Sequence, residues 1–299
     1  MRLHLLGVRG STPAAGAEFV GVGGHTSCVA VVADGDSAPS LVLDAGTGLQ
    51  RLTDLLGDAA FDGTIALTHL HWDHTHGLPF CRAVDRTDAH VDVLLPEPSA
   101  GTDPSDAAAL MARAMSPPHF PVGPDGLLGD WTWTAIGAGT RSLAAPSNAL
   151  SDALELHAVD VDHKGGRTFG YLVTERVGSR RSSMAYLPDH LPGDRVDPDL
   201  TEALRGADVL LHDAQFTADE ADVARRFGHS TVDQAIDLAV AAGVGHLVLF
   251  HHGPGRTDDD VAAIESDAVR AVDRRGADLR VTAGREGVVI DTAAATVTS

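Results

Sequence analysis

The chain has 299 residues, 43 % of them hydrophobic, and 42 acidic against 22 basic side chains give a formal charge of −20. That length can bury the core of one α/β domain or two smaller ones. No apolar run approaches the roughly eighteen residues of a membrane span, and so negative a surface disfavours nonspecific binding to polyanions.

The N-terminal run Met1–Gly10 has too short an apolar part for a signal peptide and reads as a first strand. Cys28 and Cys81 form no paired pattern, so a reduced, cytoplasmic protein is expected. Strands are expected at Arg2–Val8, Ser27–Ala33 and Leu41–Asp44. The turn Gly46-Thr47-Gly48 then leads into a helix over Leu49–Leu56. Thr64–Thr68 reads as a buried strand running into a histidine cluster, with a helix from Thr75 towards Val84 beyond it. Val91–Leu95 is a strand, and Ser105–Met115 a helix capped by its serine. The proline-rich stretch Ser116–Pro124 is an ordered loop. Strands follow at Trp131–Ile136, Leu154–Val161, Thr168–Thr174 and Ser183–Leu187. The last third alternates helices (Ala218–Arg226, Val232–Ala242, Asp258–Arg274) with strands (Val209–His212, His246–Phe250, Val288–Asp291). Two β-rich halves with helices suggest packed sheets with helices outside.

The cluster Thr68–Gly77 holds His69, His71, Asp73 and His74 within six positions. Residues two apart on an extended run face the same way, so His69 and His71 can grip one metal ion. Asp73 and His74 follow where the chain turns and can reach a second. Imidazole and carboxylate suit Zn, Mn or Fe, and an open coordination position activates water. Three more polar groups stand at strand ends: Asp162-His163-Lys164-Gly165-Gly166 after Val161, Asp189 after Pro188, and His251-His252 after Phe250. Each alone could be an ordinary turn, but four such ends suggest one assembled site. Gly21–Gly24 lacks the lysine and following helix of a phosphate loop and reads as a turn.

These features together resemble the metallo-β-lactamase-fold hydrolases over nearly the whole chain. The resemblance rests on Leu6-Gly7 through Ser11-Thr12-Pro13, Gly23–Cys28, Asp44–Gly48, His69–His74, His163, Asp189, His212-Asp213, Gly228–Thr231 and His251. The downstream series is similar to the phosphodiesterase branch, which includes the tRNA-processing ribonuclease Z and small cyclic phosphodiesterases. The resemblance implies a single domain over residues 1–299, an α/β (α+β) four-layer αββα sandwich with the metal site at one edge between two mixed sheets. It also implies two divalent ions, Zn first, with Mn or Fe as alternatives. His69, His71 and His163 would hold one ion, Asp73, His74 and His251 the other. Asp189 would bridge them, with a hydroxide between the ions as nucleophile. Asp44 is the candidate for orienting a ligand histidine.

The resemblance further implies that His229, paired with an acidic residue, protonates the leaving oxygen or holds the phosphate. Here that acid is Asp213, whose short arm would loosen the contact. Ser230 or Thr231 would also cap the helix that follows. Ser230 and His252 are candidate substrate contacts beside His229, and His76 and His190 are open between site and structure. His25 and His119 are loop residues that could face the pocket, Phe120 is expected to pack, and His4, His90, His157 and His246 read as structural or exposed.

One departure narrows the function. The tRNA-processing members carry a long arm between the equivalents of His163 and Asp189. Here Phe169–Thr174, a turn at Val177–Arg181 and Ser183–Leu187 fill that interval as one hairpin. The short hairpin and the acidic surface favour a small, cyclic phosphodiester over nucleic acid, with no membrane partner and a homodimer as a family expectation. Arg180 and Arg181 could form a basic patch at the hairpin tip. A ribonuclease Z-like nuclease without the arm, or a lactone, thioester or β-lactam hydrolase on the same scaffold, are the alternatives.

Overall fold

The computed structural model describes residues 1–97, 107–143, 154–292 and 296–298. The first part of the chain supplies strands β1 (Arg2–Gly7), β2 (Cys28–Val32), β3 (Leu41–Leu43), β4 (Asp62–Ala66), β5 (His90–Pro96) and β6 (Asp130–Ile136). Short helices α1 (Leu52–Leu56), α2 (Trp72–Thr75) and α3 (Ala107–Ala112) lie between them. The second part supplies β7 (Gly139–Ser142), β8 (Glu155–Val161), β9 (Thr168–Val177), β10 (Arg180–Leu187), β11 (Val209–Asp213), β12 (His246–Phe250) and β13 (Arg280–Ala283). Its helices are α4 (Pro198–Ala203), α5 (Ala221–Phe227), α6 (Val232–Ala242) and α7 (Asp258–Arg275). Finally β14 (Val289–Asp291) and β15 (Thr296–Thr298) return to the first sheet, whose order is β15-β14-β1-β2-β3-β4-β5-β6. The second sheet runs β13-β12-β11-β10-β9-β8-β7. Both are mixed: β3 to β6 are linked in parallel, as are β10 to β13, and the remaining pairs are antiparallel.

Strand alternation makes the layers. Leu3, Leu5, Val29 and Val31 from one sheet meet Tyr171, Val173, Met184 and Tyr186 from the other in a shared core. The alternate residues Ala185 and Leu187 turn outward, beneath Leu200 of α4, Ile236 of α6 and Ile264 of α7. Cys28, Ala30 and Ile65 turn outward on the first sheet, under Leu52 and Met111. Helix, sheet, sheet and helix therefore form the expected four layers. Both cysteines are buried and free.

Several expectations needed correction. The helix expected from Thr75 towards Val84 is instead the single turn α2 and a 3-10 turn over Leu78–Phe80. The amide of Gly77 donates to Ala45 at 2.8 Å instead of continuing the helix, and Pro79 brings no amide of its own. The helix expected from Leu49 begins as a 3-10 turn over Thr47–Arg51. The proposed cap Ser105 lies outside the described residues. Strands β7, β13 and β15 and helix α4 were not anticipated; each is six residues or shorter. Arg180 pairs with Asp34 at 2.9 Å and Arg181 leans on Thr174, so the hairpin tip is not a free basic patch.

The sheets are stitched together where the histidine cluster begins. Tyr171 Oη donates to the carbonyl of Leu67 at 2.7 Å, and the Phe169 amide donates to that of Thr68 at 2.9 Å. No helix among the described residues is long and apolar enough to cross a membrane.

Candidate metal centre

The polar strand ends meet at this stitched edge. His69 and His71 follow β4, His163 follows β8, Asp189 follows β10, Asp213 ends β11 and His251 follows β12. β8, β10, β11 and β12 point the same way, so their following loops emerge on one side. His71 is extended, and the chain then tightens into α2, which carries Asp73 and His74 inward.

Overlapping groups of ligating atoms result, some completed by Asp189, His229 and Asp213. Among them are the two expected trios, His69 with His71 and His163, and Asp73 with His74 and His251. Within each, every atom lies within 4.8 Å of the others. Asp189 stands between them. Its Oδ2 is 2.9 Å from His74 Nε2 and 3.4 Å from His251 Nε2, while Oδ1 is 3.5 Å from His163 Nε2. His69 Nε2, His74 Nε2 and Asp189 Oδ2 are buried without a well-formed hydrogen bond, although the last two stand 2.9 Å apart. Buried polar atoms almost always have one, and polar atoms converging in this way are what divalent cations would satisfy. The donor set, imidazole with carboxylate, fits such ions.

The far nitrogens of the rings are held from behind. His74 Nδ1 donates to Asp44 Oδ2 at 2.7 Å, His163 Nδ1 to the Gly228 carbonyl at 2.6 Å, and His251 Nδ1 to Gln215 Oε1 at 3.1 Å. His69 Nδ1 faces Thr68 Oγ at 3.0 Å. Each contact turns the opposite nitrogen to the centre. Asp44 also accepts from the Thr68 amide and hydroxyl, so one carboxylate ties the end of β3 to the cluster.

The electrostatics favour neutral rings on one side and charge on the other. Burial, with His74 nearby, holds His69 well below the usual histidine range; burial likewise lowers His71 and His163. Burial opposes charge on His74, but Asp73, Asp44 and Asp189 outweigh it and raise that ring well above its ordinary value. Asp73 and Asp189 are held well below the carboxylate range by neighbouring histidines despite their own burial.

The backbone is strained in this region. Ser11, Asp44 and His251 are the non-glycine residues with left-handed φ (65°, 58° and 57°) among those described. The Ser11 amide donates to Asp73 Oδ2 at 2.6 Å, and Gln215 Nε2 donates to Ser11 Oγ at 3.1 Å. A Cβ on Gly10 would lie 2.3 Å from the His251 ring, and one on Gly165 (φ +93°) would lie 2.6 Å from His71 Nε2. Only glycine lets the chain pass so close to these rings.

His229 joins the group. Its Nδ1 donates to Asp213 Oδ2 at 3.0 Å and lies 3.5 Å from Asp189 Oδ1. The short arm of Asp213 costs nothing in reach, because Asp213 also accepts from the amides of Ser230, His190 and Gln215 and is fixed in place. Burial disfavours the His229 cation, yet Asp213 and Asp189 outweigh it and push its pKa up to about 9.

Other candidates stand elsewhere. Ser230 is buried and its hydroxyl donates to the His190 carbonyl at 2.7 Å, so it braces the loop instead of facing the cleft. Thr231, not Ser230, caps α6, in a reciprocal pair with Gln234. His252 is turned away, its Nε2 donating to the Gly284 carbonyl at 3.0 Å, and burial lowers its pKa to about 3. His190 donates from Nδ1 to His212 Nε2 at 3.0 Å, a neutral pair on the far side of Asp213. His76 stacks against Trp72. Gln215 is not singled out by the sequence, and Ser11 only as part of the run that carries the family resemblance; their partners lie tens to hundreds of residues away.

Above the trios opens a cleft of about 550 Å³, walled by Ser11, Leu70, His71, Trp72, Asp73, His163, Asp189, Gln215, Phe216, Phe227 and His229.

Comparison with known proteins agrees with this architecture. Residues 41–252 match the family profile described as a beta-lactamase superfamily domain. A ribonuclease Z of Natronomonas pharaonis is 27 % identical, over 90 % of this chain and 92 % of its own. A ribonuclease Z of Pyrobaculum arsenaticum is 30 % identical over 73 % of this chain and 78 % of its own. Among solved structures, the metallo-beta-lactamase fold protein YhfI of Bacillus subtilis superposes with a TM-score of 0.63 at 18 % identity, covering 96 % of this chain and 97 % of that one.

Proposed function

The chain belongs to the metallo-β-lactamase superfamily and is a metal-dependent hydrolase, and we propose that the bonds it cleaves are phosphodiesters of small molecules. The observation that carries this reading is His229, held through Nδ1 by Asp213 at 3.0 Å in the same cleft as both trios. An alkoxide leaving a phosphodiester needs a proton, and an imidazolium supplies it.

Two divalent ions, zinc first by donor set and manganese or iron as alternatives, would be held by His69, His71 and His163 and by Asp73, His74 and His251. Asp189 would be shared between the two sets. Bound there, they would supply Lewis acidity to a phosphoryl oxygen and acidify water. The chain's own residues do the rest. Asp44, Gln215 and the Gly228 carbonyl fix which nitrogen of His74, His251 and His163 faces the centre. The Ser11 amide holds Asp73 in place. Asp213 orients His229 and favours its charged form, so Nε2 can deliver a proton to the departing oxygen.

The names of the curated relatives favour a second reading, cleavage of RNA. Against it stand the net charge of −20 and the short β9–β10 hairpin, which leaves no arm between His163 and Asp189. Hydrolysis of bis(4-nitrophenyl) phosphate by the metal-loaded protein, abolished in Asp189→Ala, is the expected result. Cleavage of lactones or thioesters without any diester would sink the proposal. Cleavage of a pre-tRNA 3′ trailer as fast as small diesters would establish the nuclease instead.

A further inference from the structure

Trp72 sits between His71 and Asp73, yet its side chain is 67 % exposed while Asp73 and His74 beside it are buried. His76 stacks on its ring at 5.7 Å and an interplanar angle of 12°, and the indole lines the catalytic cleft. Phe227, the last residue of α5, reaches the same cleft from the second-sheet side and is 54 % exposed. Large aromatic surfaces left in water at the mouth of a site gain free energy when a flat apolar partner covers them.

Charge points the same way. Among the described residues, the cleft walls carry no lysine or arginine; the guanidinium of Arg226 lies 5.7 Å from the Phe227 ring but is not part of the wall. Such a cleft has little with which to grip a polyanion or a terminal phosphate away from the metal centre. With Ser11 and Gln215 already engaged with each other, recognition of the groups on either side of a single reacting phosphate falls chiefly to the aromatic walls. Nucleobases supply both and tolerate aromatic platforms without a hydrogen-bond code.

We propose that Trp72 and Phe227 are stacking platforms that select a nucleoside phosphodiester, with a base lying on Trp72. This rests on the phosphodiester reading above and adds the class of substrate. Thymidine 5′-(4-nitrophenyl phosphate) and methyl 4-nitrophenyl phosphate share a leaving group and differ in the base. In the metal-loaded wild type, kcat/KM should favour the nucleoside ester. Trp72→Ala should reduce that preference on the order of tenfold, chiefly through KM, and Trp72→Phe should restore most of it. Phe227→Ala, outside the ligand run, should reduce the preference independently. An unchanged preference in both alanine variants overturns the inference even where both esters are cleaved. Titration calorimetry with thymidylyl-(3′→5′)-thymidine separates the two levels. Binding that weakens about tenfold in Trp72→Ala with no ester cleaved would retain the stacking and overturn the reaction. No binding by the wild type would overturn the stacking.

Discussion

His229 and Asp213 place the most specific demand on the chemistry at the scale of one side chain. Replacing His229 with alanine should lower kcat for an alkyl diester by roughly 10²–10⁴-fold. The loss should be much smaller for a 4-nitrophenyl ester, whose leaving group departs without a proton. Equal losses on both substrates, measured by steady-state kinetics, would mean that His229 only holds the phosphate. A second single-residue effect lies away from the centre. His246 donates from Nε2 to Thr282 Oγ at 2.8 Å, its Nδ1 is buried without a partner, and burial with Arg280 nearby pushes its pKa down to about 4. The folded state therefore prefers the neutral ring, whereas the unfolded chain takes up a proton near the usual value. The contribution is complete above about pH 6.5 and is lost as pH falls towards 4, on the order of 3 kcal/mol. Urea unfolding at pH 7 and pH 4.5 should show this loss in the wild type and a smaller one in His246→Gln. How far single residues were legible follows from the same physics. The density of His69–His74 and the positions of His163, Asp189 and His251 at strand ends were visible in one dimension. Gln215 was not, nor were the roles of Ser11 and the Gly228 carbonyl within their recognisable stretches, because they act by contacts that only the folded chain creates.

Elements show a different balance. Strands such as β9, β10 and β12 were legible because burial on both faces makes near-continuous apolar runs of them. Strands β7 and β13 were missed: each is four residues long, and pairing at a sheet edge, not composition, makes them strands. The turn after α2 was misread because the apolar spacing from Thr75 to Val84 looks helical, while packing of Gly77 against Ala45 decides otherwise. Connections are also where substitutions should be most informative. Gly10→Ala puts a methyl group into the His251 ring and should weaken metal binding more than it lowers the melting temperature of the metal-free protein. Metal content after dialysis, measured beside thermal unfolding, tests this; an unaltered metal content would remove Gly10 from the support of His251. Thr231→Ala removes the α6 cap and should cost about 1 kcal/mol. Because α6 begins three residues after His229, that variant should also lower activity on alkyl diesters.

Across the whole molecule, the buried centre concentrates Asp44, Asp73, Asp189 and Asp213 beside six histidines that could hold metal. Anything that binds this arrangement and not the unfolded chain stabilises the fold by mass action. Exhaustive chelation should lower the melting temperature by several degrees for a chain of this length. Re-addition of Zn²⁺ or Mn²⁺ should restore it; calorimetry showing no shift would mean the trios hold no ion. The four-layer architecture was legible because it follows from the order of patterned segments. The charge of −20 told less about the site than about its surroundings, since the local field in the cleft is set by the buried groups.

The β9–β10 hairpin has a further consequence. Its two strands leave the centre at Thr168 and return at Leu187, so the tip at Gly178-Ser179 lies at the opposite end of the sheet, roughly 25–30 Å away at strand rise. Lengthening a surface turn costs little in loop entropy. The chain can therefore gain or lose a recognition appendage at that point while the reaction chemistry stays as it is. Ten glycine and serine residues inserted at the tip should leave both the melting temperature and the turnover of small diesters nearly unchanged. In such a scaffold, what is cleaved and how it is cleaved can evolve as separate traits.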